Sequence, residues 1–165
     1  MRMPKTVPNG QGILKTQFAI ALGELTNIEK QAVKLYGKLK QATFTAELAK
    51  ALTPEISDQP QHLTRLKLIH TSLKLGKINA STTTDLAKLK LSAKKSAEQD
   101  LAIISHALKW QNLKLAYYEF LYPLAKSLDL ETEATLLEQT ITDNRNTNTW
   151  LRQIIQNIIA PSLQD

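Results

Sequence analysis

Apolar residues recur along most of this chain in alternating steps of three and four positions. That spacing places them on one face of an α-helix that packs against partner helices. The clearest run lies between residues 18 and 43 and predicts a first helix over about 15–42. Its apolar seam consists of Phe18, Leu22, Leu25, Ala32, Tyr36 and Leu39.

A second helical leg is predicted over about 45–76, but Pro54 and Pro60 interrupt its pattern. A proline inside a helix removes one backbone hydrogen bond and clashes with the preceding turn, at a cost of ~3 kcal/mol. The leg is therefore expected either to kink or to break and restart at Thr53 or Asp58. The sequence leaves these two alternatives open.

The same spacing predicts a third helix over about 97–128 and a fourth over about 131–158, which ends with Ile154, Ile155 and Ile158 facing inward. Between the second and third helices, Leu86 and Leu89 predict a short helical piece within the connection 77–99. The predicted fold is all-α, a ferritin-like four-helix bundle with a long crossover carrying a short helix between helices 2 and 3. Residues 1–14 form a flexible arm, 15–160 the bundle and 161–165 a tail.

Polar residues interrupt three of the four seams near mid-length. Glu29 falls in the middle of the first seam, Gln111 in the third and Asn144 in the fourth. A lone buried carboxylate costs several kcal/mol unless it is paired, protonated or bound to a metal. An inward-facing Glu is also a ligand in di-iron four-helix bundles, so the other ligands decide the interpretation.

The composition excludes several kinds of site. The 165 residues include no cysteine, which excludes disulfides, Fe–S clusters and thiolate zinc sites and fits a reducing compartment. The amino-terminal residues contain no apolar signal core, and no apolar run approaches the length of a membrane span, so we expect a soluble, cytoplasmic protein with no membrane partner.

The net charge of +6 is carried by the first part of the chain. Lysines cluster around the crossover, and a basic face of this kind suits nucleic acid or an acidic partner. The same lysines are equally typical of solvated helix faces, and that is the favoured interpretation. The residues concerned are Lys88, Lys90, Lys94, Lys95 and Lys109.

Several stretches resemble motifs of the YciE/YciF family of bacterial ferritin-like proteins, over roughly residues 18–158. The first helix of the family contains an aromatic residue, then spaced leucines and then Glu-Lys-Gln. This chain has Phe18, Leu22 and EKQ at 29–31 in the same order. In the third helix, DLAII at 100–104 is similar to the family's Asp-Ala start, and QNLK at 111–114 followed by Tyr118 stands where the family has Glu-His-Tyr-Glu and then Tyr. The resemblance implies a ferritin-like fold, association with bacterial stress responses and dimers formed through helix faces.

The chain departs from this family where a di-iron centre needs its ligands. It has EISDQP at 55–60 where the family has His-Leu-Glu-Glu-Thr, and TDNR at 142–145 where the family has a run of glutamates. Gln111, Asn112 and Lys114 replace acidic and histidine groups. The candidate metal ligands that the resemblance leaves are Glu29, Asp58, His62 and Asp143.

A carboxylate-bridged di-iron centre uses about four carboxylates and two histidines, so this set is incomplete. A weaker single-metal site from Glu29, with Asp58 or Glu55 and His62, is a further alternative. The favoured interpretation pairs Glu29 with Gln111, Asn144 or a cation such as Lys114 or Arg145, in a polar layer that fixes helix register. The histidines His62, His70 and His106 are each expected to be partly exposed.

These observations predict a non-enzymatic bundle without a functional di-iron site, acting as a stress-associated structural or interaction module. No catalytic residue and no cofactor are predicted, with iron as the alternative cofactor. A homodimer is the expected partner state. The rival hypotheses are an iron-binding oxidase with a reduced ligand set and a basic-surface binder of nucleic acid or an acidic partner.

Overall fold

The computed structural model describes residues 9–76, 84 and 86–164, and every regular element in those ranges is helical. This confirms the predicted all-α class. The elements are α1 (Gly10–Gln41), α2 (Ala46–Ala51), α3 (Gln59–Ser72), α4 (Ala97–Ser127) and α5 (Glu131–Ile154), which continues through a π-helical turn (Ile155–Ile159) into α6 (Ala160–Ser162).

The first helix begins at Gly10, earlier than the predicted start near residue 15. Asn9 precedes it in the left-handed conformation, with φ of 66°. The glycines among residues 10–14 favour the predicted arm, but a glycine costs only about 1 kcal/mol in a helix and does not block the helical hydrogen bonds. Residues 1–8 of the predicted arm lie outside the described residues.

The second leg is broken and not kinked. The short helix α2 ends at Ala51, and α3 restarts at Gln59 after Asp58, whose φ of 60° turns the chain. Pro60 lies in the first turn of α3, where a missing backbone N–H costs no helical hydrogen bond. Of the alternatives that the sequence left open, the structure shows the break with a restart at Asp58.

The crossover differs from the prediction, because residue 84 and residues 86–96 are not helical. Leu86, Leu89 and Leu91 pack against the apolar core, whereas Lys88 and Lys90 are exposed. This near-alternation between core and solvent is typical of an extended chain, and it buries more leucine side chains than one helical face would. Residues 77–83 and residue 85 lie outside the described part of the chain.

Two apolar clusters occupy the two ends of the bundle. The buried apolar residues of the α2-side cluster lie within the segments 28–39, 48–52, 103–110 and 151–159, and those of the α3-side cluster lie within the segments 18–25, 66–69, 115–125 and 134–141. The chain thus passes between the clusters in one direction along α1 and α5 and in the other along the α2–α3 leg and α4. Since the α2–α3 leg and α4 are parallel, the crossover must span the bundle length, as in ferritin-like folds.

The end of the last helix corrects one predicted core residue. Ile158 is exposed, and Ile159 is buried in its place. The π turn at Ile155–Ile159 adds one residue to the helical turn and so rotates the following side chains by one position. It lies just before Pro161, whose ring would clash with the carbonyl of a regular α-helix.

Candidate functional site

The polar layer between the two clusters is centred on Glu29, whose side chain is fully buried at 0% exposure. The Lys114 ammonium, equally buried, lies 3.2 Å from Glu29 Oε1. On the other side, His62 Nδ1 lies 3.5 Å from Glu29 Oε2. Both carboxylate oxygens therefore already face a nitrogen of the protein.

The layer continues from His62 towards the protein surface. His62 Nε2 lies 3.3 Å from Asp143 Oδ2, and the same oxygen accepts a 2.6 Å hydrogen bond from Arg65. Arg65 also donates to the Thr140 hydroxyl at 3.2 Å. We call the connected side chains of Lys114, Glu29, His62, Asp143 and Arg65 the ionic layer.

The charge of Glu29 is stabilised by its neighbours. Burial raises the pKa of Glu29, but the Lys114 ammonium and the His62 side chain together outweigh burial and hold the pKa below the usual 4.5. Burial and then the Glu29 charge raise the pKa of Tyr36 and Tyr118 well above 10, so both phenols are neutral at pH 7. Glu29 is thus a carboxylate whose counter-ion is a lysine.

A second set of polar residues lies beside the ionic layer. The Tyr36 hydroxyl donates to Gln111 Oε1 at 2.6 Å, and Gln111 Nε2 donates to Asn144 Oδ1 at 3.0 Å. Asn144 Nδ2 in turn donates to the Thr140 carbonyl at 3.0 Å. This amide group of Tyr36, Gln111 and Asn144 joins α1, α4 and α5 by neutral hydrogen bonds.

The donor set does not fit a pair of iron ions. Iron bridged by carboxylates requires anionic oxygens that converge on the metals. Here a buried ammonium lies 3.2 Å from the central carboxylate, and the Lys114 cation also faces the Tyr36 ring at 5.4 Å. Within the described residues, no group of three or more His, Cys, Asp or Glu side chains is arranged to hold a metal ion.

Three of the four predicted ligands come together, and one does not. Glu29, His62 and Asp143 are linked through the His62 ring. Asp58 is exposed at the start of α3, and none of the contacts that the structure describes in the ionic layer involves it. The predicted partial exposure is wrong for His62 and His106, which are 1% and 7% exposed, whereas His70 is partly exposed.

The structure also reduces the number of candidate partners of Glu29. Of the predicted candidates, Lys114 pairs with Glu29, whereas Gln111 and Asn144 bond to each other. Arg145 points outward and pairs with Glu119 at 3.0 Å. Helical spacing alone could not distinguish Lys114 from Arg145, because both lie within one turn of the interrupted seams.

Two residues of the polar layer, Arg65 and Tyr36, are not among the predicted site residues. Arg65 follows His62 by three positions on α3, so helical spacing could have placed it on the same face. Tyr36 was assigned to the apolar seam, and only the structure shows that its hydroxyl bonds to Gln111. The buried Asp100 was also missed; it accepts the backbone N–H groups of Phe44 and Thr45 at 2.8 Å and thereby fixes the turn before α2.

The helix order, the crossover and the central polar layer define a ferritin-like four-helix bundle protein. Solved structures share the fold. The crystal structure of the Escherichia coli stress protein YciF has a TM-score of 0.71 at 21% identity, covering 87% of this chain and 95% of that one. The structure described as ferritin-like, diiron-carboxylate proteins from Bacillus anthracis has a TM-score of 0.61 at 20% identity, covering 85% and 96% of the two chains.

The family follows from the sequence itself. The chain belongs to the family described as "Domain of unknown function (DUF892)", whose model matches residues 14–164. Protein YciF of Escherichia coli (strain K12) is 24% identical over 147 residues, which covers 85% of this chain and 89% of that protein. These findings confirm the resemblance to the YciE/YciF family.

Among the described residues, none of the helices combines the length and the apolar character needed to cross a bilayer.

Proposed function

We propose that this chain is a non-enzymatic ferritin-like bundle that carries its own internal cation, Lys114, in place of iron and acts as a structural or interaction module. The contact between Lys114 and Glu29 supports the proposal most directly. An ammonium at 3.2 Å neutralises the carboxylate that would otherwise hold a metal, and it repels a second cation. The module needs no cofactor to balance the charge at its centre.

Iron loading tests the proposal. The purified protein is incubated with excess Fe²⁺ without oxygen, desalted and analysed for bound iron, and oxygen consumption is then followed on mixing with air. We expect no stoichiometric iron and no accelerated oxidation. Two iron ions per chain, as in di-iron bundles, would establish the rival iron-binding oxidase and overturn the proposal.

A variant at Lys114 makes this test more specific. Lys114→Glu places a third carboxylate beside Glu29, His62 and Asp143, and we expect the melting temperature of this variant to rise on addition of Mn²⁺ or Co²⁺ because a metal relieves the repulsion. Lys109→Glu, an exposed position on the same helix, is the matched control and should show no such rise. A metal-dependent rise of the same size in the wild type would contradict the proposal.

We propose that the module forms a homodimer through the outer faces of α1 and α4. Ile20 and Phe120, each 47% exposed, flank a groove of about 330 Å³ between these helices, and Tyr117 lines the same groove. Burying apolar side chains of this kind drives association at roughly 25 cal/mol per Å². Sedimentation velocity should show a dimer that Ile20→Lys/Phe120→Lys converts to a monomer; a monomeric wild type would refute this part.

The cellular setting of the module is the bacterial cytoplasm under stress. The Escherichia coli relative is described as a stress protein, and the lack of cysteine fits a reducing compartment. Quantitative proteomics of the native organism before and after osmotic and oxidative shock should show an increase in the amount of this protein in the cytosolic fraction. An unchanged amount in both treatments would refute the stress association.

A further inference from the structure

The crossover displays lysines on a non-helical backbone. Lys88, Lys90, Lys94 and Lys95 are all exposed, while the leucines between them pack onto the α2-side cluster. Lys109 lies on the α4 strip that also contains Glu98 and Ala102, since helical steps of three and four connect these positions. Glu98 and Ala102 border the same groove of about 390 Å³ as Lys90 and Lys94. We call these five lysines the lysine face.

The backbone that carries the lysine face is held at Ser92 by the side chain of Gln99. Gln99 Oε1 accepts the Ser92 N–H at 2.7 Å, and Gln99 Nε2 donates to the Ser92 carbonyl at 3.2 Å and to the Ala42 carbonyl at 3.1 Å. One side chain thus ties the crossover to the end of α1. Ordered cations bind a partner at a lower entropic cost than cations on a loose tail.

The lysine face has positive charge that the described protein does not neutralise. Within the described residues, the lysine ion pairs with carboxylates involve Lys50, Lys114 and Lys126, and none involves the lysine face. Two residues along an extended chain span about 6.6 Å, so Lys88 and Lys90 form a row of charges and not a single point. A row of cations complements a polymer with regularly repeated anions.

We propose that the lysine face binds the phosphodiester backbone of a nucleic-acid duplex without sequence selectivity. Residues 86–96 contain no aromatic side chain on which an unpaired base could stack, which favours a duplex over a single strand. The crossover leucines face the core, so the surface offers little apolar area for insertion into a membrane. This proposal does not depend on the state of the ionic layer.

Fluorescence anisotropy with a labelled duplex of about 20 bp tests the proposal. Contacts with about four phosphates predict a roughly 150-fold loss of affinity between about 50 mM and about 200 mM KCl. Two duplexes of unrelated sequence should bind with equal affinity. Absence of binding at the lower salt concentration, or binding that salt does not weaken, would overturn the proposal.

Two triple variants of equal net charge test whether the duplex binds at the lysine face. Lys88→Gln/Lys90→Gln/Lys94→Gln should lose most of the affinity and flatten the salt dependence, because three phosphate contacts are removed. The control Lys15→Gln/Lys34→Gln/Lys67→Gln removes three exposed lysines from α1 and α3 and should retain the wild-type affinity. All six positions are exposed, so both variants should fold, which circular dichroism checks.

Competition separates the duplex from other polyanions. Unlabelled duplex should displace the probe at lower phosphate concentration than phosphatidylserine vesicles, and at lower charge concentration than polyglutamate. Stronger displacement by vesicles or by polyglutamate would overturn the nucleic-acid assignment. Equal loss of affinity in the two triple variants would overturn the assignment to the lysine face.

Discussion

The two halves of the central polar layer satisfy their buried polar groups in different ways. In the amide group, Tyr36, Gln111 and Asn144 are joined by neutral hydrogen bonds of 2.6 and 3.0 Å. In the ionic layer, Lys114, Glu29 and His62 meet at 3.2 and 3.5 Å as charged or chargeable groups. Buried charges cost more to desolvate than amides and lose more when one partner is removed. The ionic layer is therefore the more vulnerable half.

The largest effect is expected when one charge of the ionic layer is removed. Glu29→Leu leaves the Lys114 ammonium buried without its carboxylate, and we expect the free energy of unfolding to fall by about 3–5 kcal/mol. Glu29→Leu/Lys114→Met removes both charges and should recover most of that loss. Urea unfolding followed by circular dichroism measures both; equal losses in the single and double variants would show that the pair is not coupled.

Acid should weaken the same half of the layer. The folded-state pKa of Glu29 is lowered below 4.5, so its contribution to stability is present above pH 4.5 and is lost as the pH falls through the folded pKa. The free energy of unfolding of the wild type, relative to that of Glu29→Leu/Lys114→Met, should be constant from pH 7 to pH 4.5. Below pH 4.5 it should fall, because the wild type loses the charge of Glu29. A change between pH 7 and pH 5 would argue against Glu29 as the titrating group.

A smaller effect is expected in the amide group. Gln111→Leu removes the donor to Asn144 Oδ1 and the shorter of the two hydrogen bonds of the Tyr36 hydroxyl, which keeps the Ala107 carbonyl at 3.2 Å. An unsatisfied buried polar group costs about 1–3 kcal/mol. Gln111→Leu/Asn144→Leu should be more stable than Gln111→Leu, since the unpaired Asn144 Oδ1 is also removed. The urea midpoints of the two variants decide this, and a lower midpoint in the double variant would contradict the role assigned to Asn144.

The smallest effect concerns an ion pair outside the layer. Arg145 and Glu119 pair at 3.0 Å, but their side chains are 64% and 53% exposed. Water screens such a pair, so Arg145→Ala should change the free energy of unfolding by less than about 1 kcal/mol. A loss as large as that of Glu29→Leu would mean that burial does not govern the difference between these ion pairs.

Much of the fold followed from residue spacing. Steps of three and four placed Phe18, Leu22, Glu29 and Tyr36 on one face of α1, and all four are buried. The prolines of the second leg predicted its interruption, and Asp58 is where the helix restarts. Spacing failed in the crossover and at Ile158, because an extended segment and a π turn are stabilised by packing against other helices.

The sequence by itself determined that a carboxylate lies among apolar residues, and it predicted too few ligands for a di-iron pair. Only the tertiary structure decided that Lys114 faces Glu29, that His62 bridges two carboxylates and that Arg145 turns away. The physical reason is that helical periodicity fixes the face on which a side chain lies. Its partner across the bundle depends on how the helices rotate and slide against each other, which the packing of both apolar clusters sets.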